Sequence, residues 1–345
     1  MRGSTLNQKL GAVLALASLA ALSVATPASA ACAGRTIRGN AGANTINGTC
    51  GPDKIYGMGG NDNLKGLGGN DRIFGGEGND TIDGGPGNDI LKGEGGHDNL
   101  KGNAGGDTIN GGPGRNGASY AGSPSGVTVN LQPSPDTASG GHATGDKLSS
   151  ILSLTGSSFA DSLTSPPPGR ASYLVGSAGA DTLQGDFSTV LDYRTSPQSI
   201  EINLDDTNPE TGGHAQGDVI PNHVVSILGT PGDDEMKGDL LFQSGTLVGG
   251  GGADVLTAGW NASLIGDGAT WAFGSDPEIP ILMGTQGEDS LFINDGNSTV
   301  IGGPAGDHFQ DNGTDRGEWT VISELCGTPW NPLESNYMPL DMMVL

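Results

Sequence analysis

The feature that most constrains this chain is a nine-residue period. From Gly39 the sequence can be cut without a gap into GNAGANTIN, GTCGPDKIY, GMGGNDNLK, GLGGNDRIF, GGEGNDTID, GGPGNDILK, GEGGHDNLK, GNAGGDTIN and a decaying ninth piece, GGPGRNGAS. The first and fourth positions are Gly in all nine pieces. The sixth is Asp in seven of them, Asp53, Asp62, Asp71, Asp80, Asp89, Asp98 and Asp107, and Asn at the two ends, Asn44 and Asn116. The eighth is Ile or Leu in eight: Ile46, Ile55, Leu64, Ile73, Ile82, Leu91, Leu100 and Ile109. So short a period leaves room for one turn and one three-residue strand. Such a strand points one side chain inward and two outward, so each repeat offers a single apolar residue to a core. One repeat cannot fold alone; repeats must stack until the Ile and Leu side chains form continuous rows. Two repeats then make one coil, with a strand on each side, and coils rise by the strand spacing of ~4.8 Å.

Composition excludes the competing architectures. The chain has 63 Gly and 20 Pro in 345 residues, with only 34% apolar and 5% aromatic residues. Gly at this density cannot fill helix interiors, and it does not fall on every third position as collagen requires. Fifteen Lys and Arg face 39 Asp and Glu, a net charge of −24. Nucleic acid and anionic membranes bind basic faces, so neither is an expected partner. An acidic balance of this size serves solubility or supplies carboxylates that await cations. Loops on one side of the stack are two repeats apart, giving one column of Asn44, Asp62, Asp80, Asp98 and Asn116 and another of Asp53, Asp71, Asp89 and Asp107. Carboxylates ~4.8 Å apart repel one another unless a positive charge lies between them. Calcium takes about six to eight oxygens, mixing carboxylates with backbone carbonyls, and a Gly-rich turn exposes such carbonyls. Ions are expected between Asp62 and Asp80, Asp80 and Asp98, Asp53 and Asp71, Asp71 and Asp89, and Asp89 and Asp107. Asn44–Asp62 and Asp98–Asn116 are weaker, with one carboxylate each.

The unit Gly-Gly-x-Gly-x-Asp-x-(Ile/Leu)-x resembles the hemolysin-type, or RTX, calcium-binding repeat. The match runs in register from residue 39 to residue 119. It implies an all-β fold, a right-handed parallel β-roll or β-helix solenoid, with Ca2+ held between the turns.

Residues 1–30 read as a targeting segment. Arg2 and Lys9 precede an apolar run from Leu10 to Val24, and Ala28-Ser29-Ala30 supplies a small-residue cleavage site. The run is short of the ~20 residues a bilayer span needs. The expected product is a secreted, extracellular chain with no membrane span, cut after Ala30 and more acidic by the two basic residues it loses. Export places the three cysteines where disulfides persist. Extending the nine-residue frame backwards gives AACAGRTIR at 30–38, so Cys32 and Cys50 both occupy the third position of their pieces, two repeats apart. They stack in adjacent coils at about the strand spacing, inside the ~4.4–6.8 Å that a disulfide spans. In the same frame Arg35 takes the Asp position above Asp53, where its guanidinium would end the row. Cys326 has no such partner.

After residue 119 the short period gives way to a longer unit that occurs twice, followed by a remnant. SYAGSPSGVTVNL at 119–131 parallels DYRTSPQSIEINL at 192–204, and GGHATGD at 140–146 parallels GGHAQGD at 212–218. Isolated nonapeptides keep a sixth-position Asp at Asp161, Asp181, Asp234, Asp254, Asp289 and Asp307. Val127–Leu131 and Ile200–Leu204 alternate as half-buried strands. Residues 31–119 are thus expected to form the nonapeptide roll, 120–312 more β-solenoid with longer coils, and 313–345 a cap or tail. Calcium binding beyond the roll stays open, because partner loops two repeats away are mostly missing; only Asp289 and Asp307 keep that spacing. No HExxH or GxSxG motif is present. His142 and His214 recur in GGHAxGD, either as ligands or as part of a repeated surface turn. Two functional classes follow: a non-enzymatic secreted calcium-binding protein, or a secreted enzyme acting on polysaccharide from the 120–312 segment. Lys and Arg are scarce there, which favours the former.

Overall fold

The computed structural model describes residues 32–132, 136–204, 209–221, 224, 226–237, 246–252 and 254–258. Beyond 259 it describes only the strands at 263–267, 290–293, 299–302, 308–311, 320–323 and 338–339. The expected targeting segment at 1–30, Asp289, Asp307 and Cys326 lie outside the described residues.

The chain is a β-solenoid of about 11 turns. In the nonapeptide region each repeat supplies one strand. These are β1 (Thr36–Arg38), β2 (Thr45–Asn47), β3 (Lys54–Gly59), β4 (Asn63–Lys65), β5 (Arg72–Glu77), β6 (Thr81–Asp83), β7 (Ile90–Gly95), β8 (Asn99–Lys101), β9 (Thr108–Asn110) and β10 (Gly117–Ser119). Odd strands pair with odd and even with even, all parallel, and each residue meets the one two repeats on: Ile37 with Ile55, Ile55 with Ile73, Ile46 with Leu64, Leu64 with Ile82. The expected pair of apolar rows is thereby built. Ile55, Leu64, Ile73, Ile82, Leu91, Leu100 and Ile109 are all fully buried.

The second third keeps one row and rebuilds the other. It comprises β11 (Thr128–Asn130), β12 (Thr137–Ser139), β13 (Lys147–Ser149), β14 (Ser153–Thr155), β15 (Ser162–Thr164), β16 (Ser172–Val175), β17 (Thr182–Gln184), β18 (Thr189–Asp192), β19 (Glu201–Asn203), β20 (Ser226–Leu228), β21 (Glu235–Lys237), β22 (Thr246–Gly250), β23 (Val255–Ala258) and β24 (Ser263–Asp267). The even row runs on unbroken as an 11-stranded sheet, β2-β4-β6-β8-β10-β14-β16-β18-β20-β22-β24. The facing side comes in sections. One sheet ends at β13, a second holds β12-β11-β15-β17, and a third starts at β19 and continues through β21 and β23. Each new section begins on an alternating segment recognised in the sequence: Val127, Val129 and Leu131 are buried at the first, Ile200 and Ile202 at the second.

Turn geometry explains the glycines. The second position of the repeat adopts a left-handed φ, which Gly76 and Gly85 take without strain, while Met58 (φ 89°) and Leu67 (φ 78°) adopt it with a side chain. The Cys32–Cys50 disulfide forms across the first coils, with Cα atoms 4.5 Å apart. On the outer face of β3 and β5, Tyr56 and Phe74 stack with centroids 5.0 Å apart, and Arg38 covers the other side of Tyr56 at 4.2 Å.

Candidate metal centre

The register that buries the Ile and Leu rows also stacks the sixth-position carboxylates, two residues before each inward side chain. Along both columns the Oδ1 atom accepts the backbone N–H of the column residue in the preceding coil. Asp53 donates to Asp71 at 2.7 Å, Asp71 to Asp89 at 2.7 Å and Asp89 to Asp107 at 2.8 Å. In the other column Asn44 donates to Asp62 at 2.7 Å, Asp62 to Asp80 at 2.8 Å, Asp80 to Asp98 at 2.9 Å and Asp98 to Asn116 at 2.9 Å. One oxygen of each carboxylate is thus committed to holding the coils together.

The second oxygen is different. Oδ2 of Asp62, Asp71, Asp80, Asp89, Asp98 and Asp107 is buried and has no hydrogen-bond partner. Each lies against the first-position Gly of its own repeat. A methyl on Gly57 would strike Asp62 Oδ2 and the carbonyl oxygen of Gly75, and one on Gly66 would strike Asp71 Oδ2 and the carbonyl oxygen of Gly84. Carboxylate and backbone oxygens therefore converge over a residue that must lack a side chain. Among the described residues no three His, Cys, Asp or Glu side chains gather around one point, so backbone carbonyls must complete any shell. An oxygen-only set of carboxylates and carbonyls suits a hard divalent cation. Burial raises the carboxyl pKa of Asp80 to about 6 and of Asp89 and Asp107 to about 7. Neighbouring carboxylates in the column add to that rise. An uncompensated negative charge is costly at these positions.

Several features escaped the sequence. The fixed frame places Ser125 above Asp107; the partner is instead Asp146, 39 residues away, whose Oδ1 accepts the Asp107 N–H at 2.8 Å. A third column runs Asp161, Asp181, Asp218, with N–H to Oδ1 bonds of 2.8 Å at both steps. Asp234 bonds Asp254 Oδ1 in the same way. Asp146 and Asp218 are the last residues of the two GGHAxGD motifs. The histidines of those motifs sit in short 3-10 turns, Gly141–Ala143 and Gly213–Ala215. Their backbone N–H groups donate to Ser123 and Ser196 Oγ, both at 3.0 Å. Arg35 contributes to its column through the backbone N–H, at 2.5 Å from Asp53 Oδ1. Its side chain is exposed and forms no ion pair with Asp53, because the Asp53 carboxylate is already satisfied by Thr49 N–H and Oγ1. A fifth-position ladder runs beside the columns: Asn61 Oδ1 accepts the Asn79 N–H, and Asn79 Oδ1 the His97 N–H, each at 2.8 Å. Its signal was visible, since Asn fills the fifth position at 61, 70, 79 and 88. The strands that follow Asp289 and Asp307 pair Ser290 with His308, so the two-repeat register returns there.

Comparison with protein-family models returns the RTX calcium-binding nonapeptide repeat, matched over residues 38–71, 48–82, 56–91, 83–117, 170–188 and 244–262. The chain carries this repeat in several copies along its length. The repeat binds Ca2+, is generally non-catalytic, and is typical of secreted proteins. No curated protein matches the chain. Among the described residues no helix is long and apolar enough to cross a membrane.

Proposed function

We propose that this chain, built on RTX calcium-binding repeats, is a secreted calcium-binding protein whose nonapeptide roll folds as the ion binds. The ligands in this reading are Asp53, Asp62, Asp71, Asp80, Asp89, Asp98 and Asp107 with turn carbonyls, and more weakly Asn44 and Asn116. The observation that carries it is the six buried Oδ2 atoms without a donor, three in each column. Bound Ca2+ would supply the positive charge that these columns lack. The chain's own residues do the rest: Oδ1 fixes each carboxylate against the next coil, and Gly at the first position lets the carbonyl and Oδ2 approach one point. The apolar rows define the spacing between successive sites. The leader at 1–30 supports export to a compartment where calcium is plentiful and the Cys32–Cys50 disulfide persists. The test is a calcium titration of the purified chain, starting in chelator, followed by circular dichroism. A β signal that grows with calcium is expected; a spectrum unchanged across the titration overturns the reading.

A further inference from the structure

We propose that two copies of this chain associate face to face and antiparallel, the basic outer face of one roll meeting a pair of outward carboxylates on the later coils of the other copy. Both faces belong to the outer surface of the solenoid, away from the carboxylate columns, so the contact is independent of the ion reading. Cations are scarce in this chain, 15 Lys and Arg against 39 Asp and Glu, yet four of them gather on neighbouring strands. Arg38 is on β1, Lys54 on β3, Arg72 on β5 and Lys92 on β7, all exposed and each next to the inward Ile or Leu of its strand. On β1, β3, β5, β7 and β9 no outward residue flanking that Ile or Leu is acidic.

Lys54 and Arg72 are direct partners in the ladder. Like charges one strand spacing apart, ~4.8 Å, repel. Among the described residues none of the four cations forms an ion pair with a carboxylate; three of them lean on rings instead. Arg38 lies 4.2 Å and Lys54 5.1 Å from the Tyr56 centroid, and Lys92 lies 5.6 Å from that of Phe74. The rings hold these cations in place without neutralising them, which lowers the ordering cost of binding an anion.

The converse pair lies on the third section of the facing side. Glu201 on β19 and Glu235 on β21 are also direct ladder partners, and both are exposed. Thr211 donates its hydroxyl to one oxygen of Glu201 at 2.8 Å, and Lys237, in the next outward column, is already engaged within the chain. Each pair has the charge that the other lacks, and the two share one spacing, because both are successive strands of a parallel ladder. They are separated by six steps of the 11-stranded sheet, from β4 to β18, roughly 30 Å at the strand spacing. A two-fold axis midway between them and across the solenoid sets Lys54 against Glu235 and Arg72 against Glu201, and repeats both contacts at the other end. Four ion pairs then act together, where one exposed pair alone is worth little. The net charge of −24 opposes association at long range. At physiological salt, charges more than ~8 Å apart are largely screened, so the patches in contact decide.

The test is sedimentation velocity of the chain in calcium at physiological salt. The samples are wild type, the double reversal Lys54→Glu/Arg72→Glu, the double reversal Glu201→Lys/Glu235→Lys, and an equimolar mixture of the two reversals. Wild type should sediment as a dimer. Each reversal alone should fall to the mass of one chain, because it sets like charges at both contacts. The mixture should recover the dimer, because every contact between the two variants again joins opposite charges. A monomeric wild type overturns the proposal, as does a dimer that survives either reversal or a mixture that stays monomeric. A monomeric wild type that is retained on immobilised polygalacturonate, while Lys54→Glu/Arg72→Glu is not, overturns it in favour of an acidic polysaccharide on the basic face. Should a reversal change the circular dichroism spectrum in calcium, Lys54→Gln/Arg72→Gln takes its place: a weaker dimer is expected, and one as tight as wild type overturns the contact.

Discussion

At the scale of single residues, each column carboxylate divides its labour between two atoms. Oδ1 is a structural acceptor and Oδ2 faces the proposed ion, so an amide substitution can keep the first role while weakening the second. Asp80→Asn and Asp71→Asn should each lower calcium affinity by about tenfold or more, the loss expected for one charge-assisted contact of about 1.5–3 kcal/mol. Asp53→Asn should do less, because Thr49 already occupies Asp53 Oδ2; isothermal titration of the three variants would expose equal losses if that ranking is wrong. Protons compete for the same oxygens. Burial holds the folded-state pKa of Asp80 at about 6 and of Asp89 and Asp107 at about 7, above the ~3.9 of an unfolded Asp. A raised pKa contributes stability that is complete below the unfolded value and lost as pH climbs through the folded one. The calcium-free chain should therefore gain β signal on acidification from neutral pH towards the unfolded carboxyl pKa, while the calcium-loaded chain should release its ions over the same range. Circular dichroism in chelator that is flat, or that falls on acidification, contradicts the first half. The carboxylate columns were legible in the sequence wherever the period held, because an offset of two repeats dictates which Asp sits above which. Asp146 and Asp218 were not, because an inserted hairpin and turn restore the stacking at offsets no fixed frame contains.

At the scale of elements, the strands of the roll contribute one inward apolar side chain apiece, so stability resides in the rows. Ile73 lies between Ile55 and Leu91 with no exposed surface. Ile73→Ala should cost about 2–5 kcal/mol and raise the calcium concentration needed for folding, as a calcium-dependent melting series would show. A midpoint within error of wild type would mean that the rows matter less than the ions. The first coil is a special case, since β1 pairs on one side only and Ile37 is not fully buried. The Cys32–Cys50 bridge closes a loop of about the length for which a disulfide is worth ~3 kcal/mol. Reduction should let amides of Thr36–Arg38 exchange rapidly while Arg72–Glu77 stays protected, read by hydrogen-exchange mass spectrometry in calcium. This bridge was readable because both cysteines hold the same position of the frame. The Tyr56–Phe74 stack was not, because outward positions follow no pattern that composition or period reveals.

At the scale of the whole molecule, a chain with 34% apolar residues and a charge of −24 has little to drive folding on its own. With a dissociation constant of ~0.1 mM per site, in the extracellular range, ~1 mM calcium adds about 1.4 kcal/mol per ion. About five such sites reach ~7 kcal/mol, comparable to the entire stability of a domain. Chelation should therefore unfold residues 39–119 as a block, and limited proteolysis should cut there first; resistance of this segment in chelator would argue that packing suffices. The division of the facing side into separate sheets beside one uninterrupted ladder has a mechanical consequence. Through the nonapeptide roll, a pull along the long axis is shared by two ladders of backbone hydrogen bonds. Where the facing side restarts, after β13 and again at β19, the 11-stranded sheet bears the load alone. Stretched end to end, the molecule should rupture first at these two seams, releasing blocks of coils in discrete steps rather than unravelling one coil at a time.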